Sequence, residues 1–120
     1  VLWDVRFPPS AARLDTDTPA RLTARYASMP AVHPMQRRIH LVCKLLPWAI
    51  DVRNPDGVTC EDVLKAIHAT LQETVTSPEW WIARKSMREK VQEAYRLNCT
   101  KGEGDGKRST KDGIKRVDWL

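Results

Sequence analysis

The chain has 120 residues, 42% of them hydrophobic and 29% charged, with a formal net charge of +5. This is the length of one domain with a single core, and the composition excludes collagen, low-complexity disorder and a disulfide-stapled scaffold. It also excludes a membrane-spanning helix, since no window approaches the required run of about 18 apolar residues.

Leu2–Arg6 is rich in strand formers and Pro8-Pro9 ends it, which predicts a short edge strand over residues 2–6. Residues 8–35 hold five of the eight prolines and show little periodicity. They read as one long connection, with Leu14, Leu22, Tyr26 and Met29 as possible anchors across a sheet. From Gln36 the pattern turns to period two: Ile39, Leu41, Cys43 and Leu45 share one face, and His40, Val42, Lys44 and Leu46 share the other. Pro47-Trp48 interrupts the run, and Ile50 and Val52 resume it. A tight hairpin about Leu46–Trp48 and one long strand bent by a bulge both fit. Asn54-Pro55-Asp56-Gly57 is a turn.

Thr59-x-x-Asp62 is a near capping box, and Val63, Leu64, Ile67 and Leu71 form the apolar stripe of a helix over roughly residues 60–73. Ser77-Pro78-Glu79 is a second helix start. Trp80, Ala83, Met87, Val91, Ala94 and Asn98 recur at spacings of three or four, which predicts one continuous amphipathic helix over about 78–98. Residues 101–113 contain four of the five glycines and many charges, and read as a flexible loop. Ile114–Leu120 closes the chain as a strand, with Val117 and Trp119 on one face. The predicted fold is a single α+β domain over residues 1–120. A small antiparallel or mixed sheet of three to four strands carries two amphipathic helices on one face, in the order β-loop-β(β)-α-α-β.

The charge is unevenly spread. Residues 1–83 carry nine Lys/Arg and nine Asp/Glu, whereas residues 84–116 carry eleven basic and five acidic residues. Such an excess attracts nucleic acid, an anionic surface or an acidic protein, or is simply a solvated helix face. Cys43, Cys60 and Cys99 are too sparse and odd in number for a secreted disulfide framework, which points to an intracellular protein. No Cys-x-x-Cys and no His pair at i,i+4 signals zinc. Asn98-Cys99-Thr100 matches the glycosylation sequon by chance at a helix end. The start at Val1 rather than Met reads as an excised or processed end.

Trp80-Trp81 is the most informative pair. Adjacent helical residues lie about 100° apart, so both indoles cannot face one core. Trp80 is assigned inward and Trp81 outward, either covered by residues 8–35 or exposed as an interface anchor. Arg84, Lys85, Arg88 and Arg96 lie on the same helix, followed by Lys101, Lys107, Arg108 and Lys111. Trp81 with Arg84, Lys85, Arg88 and Arg96 is therefore the candidate interaction surface. Pro47-Trp48 is a second aromatic candidate, read first as a core indole. Catalysis has little support: His40 and Cys43 fall on opposite strand faces, His68 lies at the rim of an apolar stripe, and nucleophile-elbow, P-loop and dinucleotide motifs are missing.

The segment Leu45-Leu46-Pro47-Trp48-Ala49-Ile50-Asp51-Val52 resembles an uncharacterised domain family of mushroom-forming fungi. Trp3-Asp4-Val5-Arg6 with Pro8-Pro9, Val58-Thr59 leading to Asp62–Ile67, and Arg116-Val117-Asp118 fit it as well, so the likeness covers nearly the whole chain. It implies no known activity, cofactor or catalytic residue. Domains of that kind often run on past Arg116-Val117-Asp118, whereas this chain stops at Leu120. The sequence thus reads as a non-enzymatic protein-interaction or self-association domain, with a protein partner or a second copy and with no cofactor or metal. Binding of nucleic-acid phosphates through residues 81–111 is the alternative. A small enzyme built from distant residues such as His40, Asp51 or His68 comes third.

Overall fold

The computed structural model describes residues 1–16, 23–100 and 113–120. Leu22 and, apart from Gly113, the glycine-rich stretch read at 101–113 fall outside them. By Cα proximity the chain divides into two units, Val1–Thr70 and Leu71–Leu120.

The first unit is organised around the Asn54–Gly57 turn. Asn54 accepts the Asp56 N–H on its side chain and the Gly57 N–H on its carbonyl, both at 3.0 Å. Gly57 has φ +111°, and a Cβ there would collide with the Met35 side chain. The positive φ is what calls for glycine here, since the exposed Met35 side chain could move aside. The turn follows β2 (Ile50–Arg53), which pairs antiparallel with β1 (Arg38–Leu41) in the register Arg38↔Arg53 and Leu41↔Ile50. Ile50 and Val52 are buried with Val58, and Ile39, Leu41, Val63, Ala66 and Ile67 pack against them. Val63, Ala66 and Ile67 come from α2 (Cys60–Gln72). Its start is the expected capping box: the Asp62 N–H donates to Thr59 Oγ1 at 3.2 Å, and the Thr59 N–H donates to Asp62 Oδ2 at 2.9 Å. The connection over residues 8–35 contains a 3-10 turn at Pro9–Ala11 and the single-turn helix α1 (Ala24–Ala27). Met29–Ala31 runs beside the α2 entry, where the Cys60 N–H donates to the Met29 carbonyl and the Ala31 N–H to the Val58 carbonyl.

In the second unit, α3 (Ser77–Ile82) and α4 (Lys85–Thr100) replace the single predicted helix. Thr76, one residue earlier than expected, is the N-cap, with Glu79 completing its capping box. No proline or glycine marks the break, yet Ala83 has the extended dihedrals φ −68° and ψ 146°. The Ala83 carbonyl accepts from Arg88 Nη1 at 2.6 Å, which satisfies a group that a continuous helix would have paired internally. Leu71, Val91, Cys99, Val117 and Trp119 are the buried hydrophobics of this unit.

The sheet is smaller than the sequence suggests. Among the described residues it has two strands, accompanied by four helices, so the expected three to four strands with two helices are not found. Residues 2–6 form no strand. Leu2 makes one isolated bridge to Arg13, and Asp4 draws the Arg6 N–H and guanidinium into a local turn. The run from Gln36 yields four strand residues. It then turns at Cys43–Leu46, where the Leu46 N–H donates to the Cys43 carbonyl and Val42 and Leu45 are exposed. Residues 42–49 thus form a wider connection than a tight hairpin at Leu46–Trp48, and β1 and β2 are not one bent strand. The predicted final strand is a 3-10 turn over Arg116–Trp119, preceded by a single bridge, Thr74↔Lys115. Asp118 decides this, because its carboxylate accepts the Lys115 N–H at 2.8 Å and closes the turn locally.

Leu71→Ala should lower unfolding stability by about 3 kcal/mol in urea denaturation, as for other large-to-small changes at fully buried sites. Leu45→Ala, at a position the alternating pattern placed in the sheet, should change it by less than about 0.5 kcal/mol.

Candidate functional site

The capping box at Thr76 and the Trp80–Trp119 contact together set the rotation of α3. Trp80 meets Trp119 edge-on, with ring centroids 6.3 Å apart and planes at 83°. The 100° step then carries Trp81 outward, where it is 68% exposed, and Ile82 beside it is 84% exposed. Arg88, one turn into α4, lies with its guanidinium carbon 5.0 Å from the centre of the Trp81 ring while donating to the Ala83 carbonyl. It therefore holds the indole as well as capping the helix end. Arg84 and Lys85 are exposed at the junction between the two helices.

The structure brings Trp81, Arg84, Lys85 and Arg88 into one short stretch of α3 and the α4 start. Arg96 is separate. It lies eight residues beyond Arg88, about 12 Å along the helix axis. There it lines a shallow depression with Glu89, Gln92, Glu93 and Tyr95. Glu89 and Glu93 interrupt the basic row, so α4 presents mixed charge rather than a continuous cationic stripe. Lys101, Lys107, Arg108 and Lys111 lie outside the described residues. Sequence reading missed Ile82. The available signal was an isoleucine off the 80-83-87-91 stripe and next to an outward Trp.

Of the remaining candidates, His68 and Asn98 have structural tasks. His68 packs against Trp3, with ring centroids 6.3 Å apart, and its Nδ1 is 3.4 Å from the Val5 carbonyl oxygen. His40 and Cys43 are both exposed, and Cys43 lies beyond the end of β1. Trp48 is half-buried. The sequon residue Asn98 donates from its amide to the buried Asp118 carboxylate at 2.8 Å. Among the described residues no group of three His, Cys, Asp or Glu side chains is arranged to hold a metal. No described helix is long and apolar enough to cross a membrane.

Two further surfaces belong to the first unit. An apolar groove of about 230 Å³ opens between Ala31, Val32, Ile39, Leu41, Val63 and Leu64. The outer face of the hairpin is polar. Asp51 accepts from Arg38 Nε at 2.8 Å and Arg53 Nε at 2.6 Å, and His40 Nδ1 is 3.8 Å from the same carboxylate. The hydrogen bonds from Arg38 and then Arg53 pull the Asp51 carboxyl down to about 2.

The chain belongs to a family of unknown function, DUF6699, whose family model matches residues 1–120. No curated protein and no solved structure matches it. The family therefore assigns no activity, and a functional reading rests on the surface itself.

A carboxyl whose folded value is depressed stabilises the fold above its unfolded value, near 3.9, and loses that contribution as pH falls through the folded value. The Arg38–Asp51–Arg53 cluster should therefore weaken between about pH 4 and pH 2. Carbon-detected NMR titration should find Asp51 titrating at about 2 in the wild type. In Arg38→Ala it should move up toward the ordinary carboxylate range.

Proposed function

We propose that this member of the family is a non-enzymatic interaction domain whose contact surface is centred on Trp81 and Ile82, collared by Arg84, Lys85 and Arg88. One observation carries the reading: two adjacent large apolar side chains stand in solvent, and one of them is held in place by Arg88. Isolated exposed hydrophobics are ordinary, but a contiguous, ordered pair marks a contact site. Trp and Arg are also the residue types that anchor protein interfaces most often. Between Trp80 and Arg88 the sequence contains no acidic residue, so the collar favours a partner that is acidic around an apolar pocket.

Phosphate-backbone binding is the second reading, supported by the same cations and by an exposed indole available for stacking. Glu89 and Glu93 weigh against it, because they interrupt the cationic row a nucleic-acid strand would follow. The domain acts as one unit of function over residues 1–120, a reading supported by a family match that spans the chain. A source among mushroom-forming fungi is supported by the Leu45-Leu46-Pro47-Trp48 segment. An intracellular setting is supported by three free cysteines, of which only Cys99 is buried.

A photo-crosslinker placed at residue 82 should capture a discrete protein partner in its native extract, and Trp81→Ala should abolish the capture. The same crosslinker at Leu45, exposed in the other unit, should not capture it. Trp81→Ala should leave stability within about 0.5 kcal/mol of wild type by urea denaturation, since the side chain is outside the core. Steeply salt-dependent binding to single-stranded DNA or RNA that disappears in Arg84→Ala/Arg88→Ala would replace this reading with the phosphate one.

A further inference from the structure

Within the second unit, the last eight residues pack on the stretch before α3 and on the α3 and α4 helices in the manner of a bound peptide. Ile114 and Arg116 make main-chain bonds to the stretch before α3: the Val75 N–H donates to the Ile114 carbonyl at 2.8 Å, and the Arg116 N–H donates to the Glu73 carbonyl at 2.9 Å. Together they frame the single antiparallel bridge Thr74↔Lys115, a one-bridge version of the main-chain pairing by which an extended peptide is captured. Side chains then supply specificity. Arg116 Nη1 meets Glu73 Oε2 at 2.6 Å, and its Nη2 meets Glu79 Oε1 at 3.1 Å. Asp118, 1% exposed, receives the Asn98 amide. Trp119 sits edge-on to Trp80, and Val117 is buried as the turn packs on α4.

The main-chain partners of this segment, Glu73 and Val75, lie between α2 and α3, and its side-chain partners Gln72, Glu79, Trp80 and Asn98 lie on α2, α3 and α4. By contrast, residues 114–120 contain no regular element beyond one 3-10 turn. Their anchors are an arginine, a tryptophan and a buried carboxylate, beside the buried Val117. Twelve residues separate Thr100 from Gly113, and three of them are glycine.

We propose that residues 113–120 are a detachable ligand of the seat formed by Glu73, Val75, Glu79, Trp80 and Asn98, and that the seat accepts the same segment from a second copy of the chain. Segment and seat belong to one chain, so the resident segment binds intramolecularly and competes with any copy that is added. The intact chain is therefore self-occupied at ordinary concentrations, and exchange between copies becomes visible when the link or the resident segment is impaired. The seat is separate from the Trp81–Ile82 surface, and the inference does not rest on that reading.

The test uses the full chain with a protease site placed within residues 101–112 and cut after folding. The cut segment should co-elute with the body on gel filtration and exchange with an added fluorescent peptide of sequence Gly113–Leu120. Peptides carrying Arg116→Ala or Trp119→Ala should bind at least roughly tenfold more weakly. An uncut Asp118→Ala/Trp119→Ala chain should bind the wild-type peptide saturably, whereas the wild-type chain, already self-occupied, should not. Three results would overturn the inference. One is release of the cut segment without rebinding. Another is loss of the helical circular dichroism signal that peptide does not restore. The last is equal peptide binding by the wild-type and doubly substituted chains.

Discussion

Three carboxylates, each placed three residues after the backbone N–H it accepts, hold this chain together. Asp62 accepts from Thr59, Glu79 from Thr76 and Asp118 from Lys115. Each also takes a second donor from elsewhere in its own unit: the Asn54 amide, the Arg116 guanidinium and the Asn98 amide respectively. A local cap thereby becomes a tertiary tie. The ties matter because the buried apolar set is small, and a short sheet and short helices supply few contacts for fixing element ends. The pair of donors on Asp62 also holds its carboxyl below the usual range, Asn54 contributing most and the Thr59 N–H next. That tie consequently loosens as the solution becomes acidic.

This device explains which elements were legible in the sequence. The entries to α2 and α3 are local: a hydroxyl, an acid three residues on and, for α3, an early proline. Such signals do not need tertiary context, and α2 is observed at Cys60–Gln72, close to the expected 60–73. The Asn54–Gly57 turn was equally readable, because φ +111° at residue 57 requires glycine. The terminal strands were not legible. Val117-Asp118-Trp119 has the apolar-polar-apolar pattern of a half-buried strand, yet all three side chains are buried. Period two assumes that the middle residue faces solvent, and Asp118 instead turns inward to Asn98. At the other end, Asp4 binds the Arg6 N–H and guanidinium within a two-residue reach, which bends Trp3–Phe7 before any ladder forms. The alternation from Gln36 failed partway for a related reason. Leu45 satisfies the pattern, but only Leu41 and the residues before it have partners in β2.

The candidate surface was partly legible. The angular argument about adjacent Trp residues is purely geometric and requires one indole to leave the core, whatever the fold. Which cations accompany the outward indole depends on the helix break at Ala83, for which the sequence has no proline or glycine signal. With one continuous helix, Arg84, Lys85, Arg88 and Arg96 read as a single basic tract. With the break, Arg84 and Lys85 are exposed at the α3–α4 junction, Arg88 meets Trp81, and Arg96 joins a mixed acidic and basic depression with Glu89 and Glu93.

Arg88 joins the break to the surface. A guanidinium can donate a hydrogen bond in its plane while its face lies over an aromatic ring, and an ammonium cannot divide itself between the two tasks in this way. The bond to the Ala83 carbonyl satisfies the backbone at the end of α3, and the stacking face meets Trp81. The same side chain that makes a second helix start tolerable therefore also restricts the exposed indole. An ordered indole loses less conformational freedom when a partner closes over it, and preorganisation of that kind increases affinity without adding contacts. Ile82 has no such restraint and stands further into solvent, so its contribution to a contact would come almost wholly from apolar area removed from water. In the proposed interface the two residues would therefore serve different parts: Trp81 as a positioned aromatic anchor, and Ile82 as an adjacent aliphatic side chain that adjusts to the pocket it enters.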